Sequence, residues 1–147
     1  MSGMTITPHI VVSDAAAASE WYQRALGAVE TDRLPLPGGK NMYVELRFGD
    51  DRVMAADEFP DFGILSPLDL GGTAVVLHLE CEDVDAAWRT AVDAGAEVLS
   101  PLQDQFWGAR QGQLRDPFGH KWNLAHQVRE VPRAELEAAA ASVFAST

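Results

Sequence analysis

The amino-acid sequence predicts an α+β fold in which paired βαβββ modules form a curved mixed sheet around a cleft, followed by a C-terminal helix. The first supporting observation is that short apolar or alternating segments, typical of strands, are interleaved with segments of helical period. The second is an internal repeat, in which the order strand, helix, strand, strand, strand occurs twice with an offset of about 69 residues.

The composition indicates a single globular domain. The chain has 147 residues, 47% of them hydrophobic, and its formal net charge of −11 disfavours binding to nucleic acids and to anionic membranes. The single cysteine, Cys81, excludes an intrachain disulfide. No apolar run approaches the ~20 residues that span a bilayer, and the N-terminal segment lacks the features of a signal peptide. We therefore expect a cytoplasmic protein.

The first half of the chain shows one copy of the repeat. Residues 9–12 are β-branched and predict a buried strand, and Asp14 is placed to cap a helix over residues 15–26 that ends at Gly27. Residues 42–48 alternate, with Met42, Val44, Leu46 and Phe48 on the face predicted to be buried. A further strand is expected at residues 52–56.

The second half repeats this order. A strand is predicted at residues 73–80, a helix at 84–94 capped by Asp83, a short strand at 97–99, and two strands at 110–115 and 121–126. The chain is thus one domain, 1–147. Its predicted parts are a first module at 4–58, a connector at 59–71, a second module at 72–128 and a tail helix at 132–147.

The repeat aligns chemically interesting residues with one another. The offset places His9 on His78 and Met54 on Asn123. With one inserted residue it also places Tyr43, Glu45 and Arg47 on Gln111, Gln113 and Arg115. We expect these polar faces to line a cleft, although the alternative is a simply solvated sheet face.

The chain resembles the vicinal oxygen chelate superfamily of glyoxalases, bleomycin-resistance proteins and extradiol dioxygenases, and within it the PhnB-like branch. The resemblance covers nearly the whole chain and implies the paired-module fold, whereas it says little about the reaction. The residues that carry it are Thr7 to Val12, Trp21-Tyr22, Ala25 to Ala28, Asp83 to Trp88, Ala94 to Ala96, Pro101 to Gly108, Arg110, Arg115 to Trp122, and the tail from Val131 to Ala141.

The resemblance implies four metal-ligand positions, which are His9, Met54, His78 and Asn123 in this sequence. Two imidazoles make half of a divalent metal site, but a carboxylate is expected where Met54 and Asn123 stand. Glu45 on the neighbouring strand is a further candidate donor. We expect His9 and His78 to give an incomplete set that holds a divalent metal weakly; in the alternative they are packing residues and no cofactor is bound.

The candidate catalytic residue is Glu45, as a general base if the cleft is dry; an ion pair with Arg47 or Arg115 would oppose that role. The candidate ligand-binding residues are Tyr43, Trp107, Arg110, Gln113 and Asn123. Trp107 is expected to stack on a flat ligand and Arg110 to bind an anionic or carbonyl oxygen. In the alternative, the aromatic residues of this loop plug the end of the sheet.

Three further residues are expected to have no chemical role. Asp116 is predicted to bond the amides of its own turn, and His120 to face solvent. Cys81 lies between two acidic residues, Glu80 and Glu82, which raise the pKa of its thiol and disfavour a nucleophilic role.

Three function classes are compatible with these features. The first is a glyoxalase-like enzyme of lyase, isomerase or dioxygenase type acting on a small oxygenated molecule. The second is a non-catalytic, antibiotic-type binding or resistance protein with a degenerate metal site. The third is an interaction scaffold. In each case we expect a homodimer, since the connector is apolar. The expected partner of the cleft is a small molecule rather than a nucleic acid or a membrane.

Overall fold

The computed structural model describes residues 3–145 and contains two four-stranded mixed sheets with the same topology. In the first module the strands are ordered β1-β4-β3-β2, with β1 parallel to β4 and the other pairs antiparallel. Its elements are β1 (His9–Val12), α1 (Ala15–Leu26), β2 (Val29–Pro35), β3 (Asn41–Phe48) and β4 (Asp51–Asp57).

The second module repeats this arrangement with the order β5-β8-β7-β6. The paired βαβββ architecture predicted from the repeat is therefore confirmed, as is the predicted C-terminal helix. The elements are β5 (Val76–Glu80), α3 (Val84–Asp93), β6 (Glu97–Asp104), β7 (Ala109–Arg115) and β8 (Lys121–Gln127), with α2 (Pro67–Leu70) and a 3-10 turn (Pro60–Phe62) before them and α4 (Arg133–Phe144) after them.

The helix α1 begins and ends where its capping residues require. The Oδ1 atom of Asp14 accepts from the amide of Ala17, and Gly27 adopts a φ of 75° and donates its amide to the carbonyl of Tyr22. In the second module Asp83 caps α3 in the same way, by accepting from Ala86. The same local sequence signals thus start the helix of each module.

The two modules pack through α1 and α3. The indole Nε1 of Trp21 in α1 donates to the carbonyl of Ala94, at 2.8 Å, just after α3. The ring of Tyr22 lies 6.1 Å from that of Phe118 and 5.5 Å from that of Trp122, both from the second module. One apolar core therefore spans both modules.

His120 is buried, at 8% exposure, so the prediction that it faces solvent is wrong. Its Nε2 atom lies 2.8 Å from the carbonyl oxygen of Val11 and donates a hydrogen bond to it. The turn before β8 folds back against β1, because Asp116 fixes that turn by accepting from the amides of Phe118 and His120. The residues next to His120 in the sequence could not predict this contact, because Val11 lies more than a hundred residues from His120 along the chain.

The end of β6, the start of β5 and the burial of Met42 also differ from the sequence-based expectation. The strand expected at residues 97–99 continues to Asp104, because irregular pairing with β7 accommodates Pro101. The strand expected to start at residue 73 begins at Val76. Met42 is 55% exposed, although Val44 and Leu46 of the same predicted face are fully buried.

The helix α4 stands apart from the core. Leu136 and Ala140 are half-buried, whereas Val143 and Phe144 are exposed. Residues 146 and 147 of the predicted tail helix lie outside the described residues. Between residues 3 and 145 the structure contains no helix long and apolar enough to cross a membrane.

Candidate functional site

The strand register of the first module places four candidate residues side by side. His9 on β1 lies opposite Met54 on β4, and Met54 lies opposite Glu45 on β3. Glu45 in turn lies opposite Asp32 on β2. We call this line of residues, His9, Met54, Glu45 and Asp32, the first row.

The second module carries an equivalent line. His78 on β5 lies opposite Asn123 on β8, which lies opposite Gln113 on β7 and then Ser100 on β6. We call these four residues the second row. The structure therefore brings Met54 and Asn123 to the same place in their sheets, as the repeat predicts.

The carboxylates of the first row form hydrogen bonds with neighbouring side chains. Glu45 is 18% exposed; it accepts from the hydroxyl of Thr31 at 2.7 Å and from the guanidinium of Arg52 at 3.0 Å. Its cationic partner is thus Arg52, rather than the two arginines considered from the sequence. Tyr43 donates to Asp32 at 2.9 Å, and this hydrogen bond raises the pKa of the Tyr43 phenol. The two carboxylates of the first row, Glu45 and Asp32, are thus both bound by neighbouring side chains.

The second row forms a chain of hydrogen bonds. The Nε2 atom of Gln113 donates to Oδ1 of Asn123 at 3.1 Å. The Nδ2 atom of Asn123 donates to Nδ1 of His78 at 3.3 Å, and Nε2 of His78 lies 3.3 Å from Oε1 of Glu80. Since Nδ1 accepts, the imidazole carries its hydrogen on Nε2, where it faces the Glu80 carboxylate.

A cavity of about 270 Å³, which we call the amide cavity, lies on the face of the second sheet that carries the side chains of Gln113 and Asn123. The indole Nε1 of Trp107 donates to Oε1 of Gln111 at 3.2 Å, and the Phe106 ring braces Trp107 edge-on at 4.9 Å. None of the lining residues is ionisable. Besides Ser100, Gln113 and Asn123 of the second row, the cavity is lined by Gln103, Gln105, Trp107, Gln111 and Gly112.

Arg110 lies on the opposite face of β7. Its guanidinium pairs with Asp85 of α3 at 3.0 Å and with Asp104 at 3.3 Å, and these hydrogen bonds raise the pKa of Arg110 and lower that of Asp85. Gly112 on the same face abuts the ring of Trp88. The structure therefore brings Trp107, Gln113 and Asn123 together and leaves Arg110 on the side of the helix.

His9 and His78 line separate depressions. His9 borders an apolar groove that also contains Leu36, whereas His78 borders a cavity of about 520 Å³ between the β3–β4 turn and β5. Among the described residues, no group of three or more His, Cys, Asp or Glu side chains is close enough to hold a metal ion. Because Glu45 is also bound by Arg52, the residues that the structure describes do not by themselves supply a complete set of donors for a divalent metal.

Cys81 fits the prediction of an unreactive thiol. Its side chain is half-buried, and burial together with the charge of Glu80 raises the pKa of the thiol. A raised pKa keeps the sulfur protonated and poorly nucleophilic.

Sequence reasoning did not single out three lining residues of the amide cavity: Ser100, Gln103 and Gln105. They lie on the irregular part of β6 and in the loop after it, where the period-two signal is lost. The family resemblance covered part of this segment, from Pro101 to Gly108, but it assigned no binding role to Gln103 or Gln105.

Residues 5–124 match the model of the Glyoxalase/Bleomycin resistance protein/Dioxygenase superfamily. The chain belongs to this family. The match covers both modules, and it confirms the resemblance to the vicinal oxygen chelate superfamily seen in the sequence.

The relatives of this chain include proteins of mycobacteria. It is 45% identical over 140 residues to the uncharacterized protein Rv0887c of Mycobacterium tuberculosis, covering 93% of this chain and 82% of the relative. The uncharacterized protein Mb0911c of Mycobacterium bovis is also 45% identical, with 92% of that relative covered.

Solved structures show the same fold. The crystal structure of TioX from a Micromonospora species is 28% identical, with a TM-score of 0.68 over 86% of this chain and 100% of that one. A glyoxalase/bleomycin resistance protein/dioxygenase from Nocardioides has a TM-score of 0.66 at 23% identity, over 90% of this chain and 89% of that one. Because its identity to this chain is only 23%, the Nocardioides structure supports the fold alone.

Proposed function

We propose that this protein is a non-catalytic small-molecule binding protein of the superfamily, which holds its ligand in the amide cavity. The observation that supports this proposal is the lining of that cavity, where a tryptophan, a serine and several amides surround about 270 Å³ and no lining side chain is ionisable. Ligand pockets combine an apolar wall with a few polar groups that fix orientation. Catalysis by proton transfer needs an ionisable group within reach of the ligand.

The engagement of Glu45 supports binding over catalysis. Arg52 donates to Oε2 of Glu45 at 3.0 Å and Thr31 donates to Oε1, so both carboxylate oxygens already accept hydrogen bonds. A general base must be free to take a proton from the substrate.

A second candidate is the glyoxalase-like enzyme of lyase, isomerase or dioxygenase type. The first row favours it, because His9 and Glu45 flank Met54 in one register and could act on one oxygenated molecule. Turnover of a bound compound, lost in Glu45→Gln, would establish this candidate in place of the first.

We place the chain in the PhnB-like branch, on the residues from Arg115 to Trp122, and we expect it to act in the cytoplasm as a homodimer. The connector supports association, since Phe62, Leu68 and Leu70 are 81%, 55% and 66% exposed. Light scattering at micromolar concentration should give the mass of a dimer for the wild type and of a monomer for Phe62→Asp. A monomeric wild type would contradict this part of the proposal.

The binding function is tested with a library of uncharged and charged aromatic fragments, screened by thermal shift and followed by calorimetry. We expect fragments whose affinity falls at least about tenfold in Trp107→Ala, because burial of an aromatic contact of this size contributes about 1.5 kcal/mol or more. The control variant Val143→Ala, on exposed α4, should bind as the wild type does. The proposal would be contradicted if the fragments bound Trp107→Ala as tightly as Val143→Ala, or if no fragment bound the wild type.

A further inference from the structure

The amide cavity offers a defined pattern of unused hydrogen-bonding atoms. Oε1 of Gln111 accepts from Trp107, so its carboxamide turns its Nε2 donors away from that indole. Nε2 of Gln113 donates to Asn123, so its Oε1 acceptor remains. Within residues 3–145, neither Nε2 of Gln111 nor Oε1 of Gln113 has a hydrogen-bond partner.

These two atoms belong to neighbouring positions on one face. Gln111 and Gln113 are two apart on β7, so both side chains project from the same side of the sheet. Fixed orientation distinguishes them from freely rotating surface amides: Trp107 holds one carboxamide, and the chain through Asn123 to His78 holds the other. Through Gln111 and Gln113 the cavity therefore presents a donor and an acceptor from one face of β7.

The charges of the protein further restrict which ligands the amide cavity can hold. The net charge of −11 repels anions, and none of the residues lining the amide cavity is a cation that could pair with one. Arg110, which would have been that cation, is held by Asp85 and Asp104 on the other face. No carboxylate lines the cavity either, so a cation would lose its hydration there without gaining an ion pair.

We propose that the part of the ligand held in the amide cavity is uncharged and planar, and carries an N–H donor beside a C=O acceptor, as in an aromatic lactam or cyclic imide. The ligand carbonyl accepts from Nε2 of Gln111, its N–H donates to Oε1 of Gln113, and its ring lies against Trp107. This inference rests on the proposed binding function and names the chemical class of its ligand.

The test compares three probes of similar shape by calorimetry, with amide NMR spectra locating the site. The probes are carbostyril, a planar aromatic lactam; its N-methyl derivative, which lacks the N–H; and naphthoate, which is planar and anionic. We expect carbostyril to bind, N-methylation to weaken binding at least about fivefold, and naphthoate not to bind.

Two variants distinguish the effect of losing a hydrogen-bond donor from the effect of adding a negative charge. Gln111→Glu removes the donor for the ligand carbonyl while keeping an acceptor for Trp107, and should abolish carbostyril binding. The matched control Gln113→Glu adds the same charge and loses the hydrogen bond that Nε2 donates to Asn123, but it keeps an acceptor for the ligand N–H and should weaken binding less.

The outcomes distinguish this inference from the function on which it rests. Absence of carbostyril binding, equal binding of the N-methyl derivative, or naphthoate binding as tight as that of carbostyril overturns the inference. If other fragments still bind in a manner that depends on Trp107, the binding function stands without it. If no probe or fragment binds in the amide cavity, both fail.

Discussion

The hydroxyl of Tyr22 in α1 donates a 2.6 Å hydrogen bond to the carboxylate of Asp116, 94 residues away in the turn before β8. The same Oδ2 atom accepts from the indole of Trp122, and Oδ1 accepts from the amides of Phe118 and His120. A buried carboxylate with four donors thus joins the first module to the second. Asp116, which the sequence predicts to be a turn residue, also holds the modules together.

Tyr22→Phe should destabilise the protein by about 1–3 kcal/mol, because it removes one donor from a buried carboxylate. Urea unfolding at neutral pH measures this loss. The control Tyr43→Phe removes an exposed hydroxyl and should change the free energy of unfolding by less than about 0.5 kcal/mol. Equal effects of the two substitutions would contradict the role given to Asp116.

Alkaline pH should destabilise the wild type through ionisation of Tyr22 on unfolding. Burial, with the neighbouring Asp116 charge, raises the pKa of Tyr22 well above its ordinary value of 10.0. The folded state keeps this proton while the unfolded state loses it, so the contribution to stability is full below the ordinary pKa. It falls as pH rises above 10.0 toward the folded-state pKa. Unfolding curves from pH 8 to 11 should show a shallower alkaline loss for Tyr22→Phe than for the wild type.

Gly112→Ala should destabilise the second module by about 1–3 kcal/mol through overpacking. A Cβ atom at this position would lie 2.4 Å from the Trp88 ring of α3 and 2.9 Å from the amide nitrogen of Leu102. Calorimetric melts measure the effect, and Trp88→Leu, which removes the ring, should recover part of it in the double variant. Additive losses in the double variant would show that Trp88 is not the clashing group.

Met54→Glu should strengthen binding of divalent zinc on the order of tenfold or more. It inserts a carboxylate between His9 and Glu45, which already lie in one register. Calorimetric titration compares it with the wild type, expected to bind weakly, and with Met54→Gln, which has a similar shape but no charge. Tight stoichiometric binding by the wild type would mean that other donors, such as a partner subunit's, complete the site.

Deletion of residues 133–147 should leave fragment binding in the amide cavity unchanged and lower solubility. The loop that carries Trp107 is held from the segment before α4, since the carbonyl of Gly108 accepts from the amides of Val128 and Arg129 at 2.8 and 3.1 Å. Deletion of residues 128–147 removes those donors and should weaken fragment binding. Loss of binding in the shorter deletion, with an unchanged melting temperature, would contradict this assignment.

The fold could be predicted from the sequence because its determinants are local and repeated. Asp14, Gly27 and Asp83 set the helix ends through contacts within a few residues, and alternation in β3 assigned its buried face. The irregular β6 could not be delimited, since irregular pairing around residues 98–103 removes the period on which such predictions depend.

The sequence by itself determined the two-module architecture, the family and the equivalence of His9 with His78 and of Met54 with Asn123, because a repeat fixes equivalent strand positions. Only the tertiary structure decided which polar groups remain free. Hydrogen-bond partners such as Arg52 for Glu45, Asp85 for Arg110 and Val11 for His120 come from other elements. No spacing along the chain encodes such distances, so the site chemistry depends on packing.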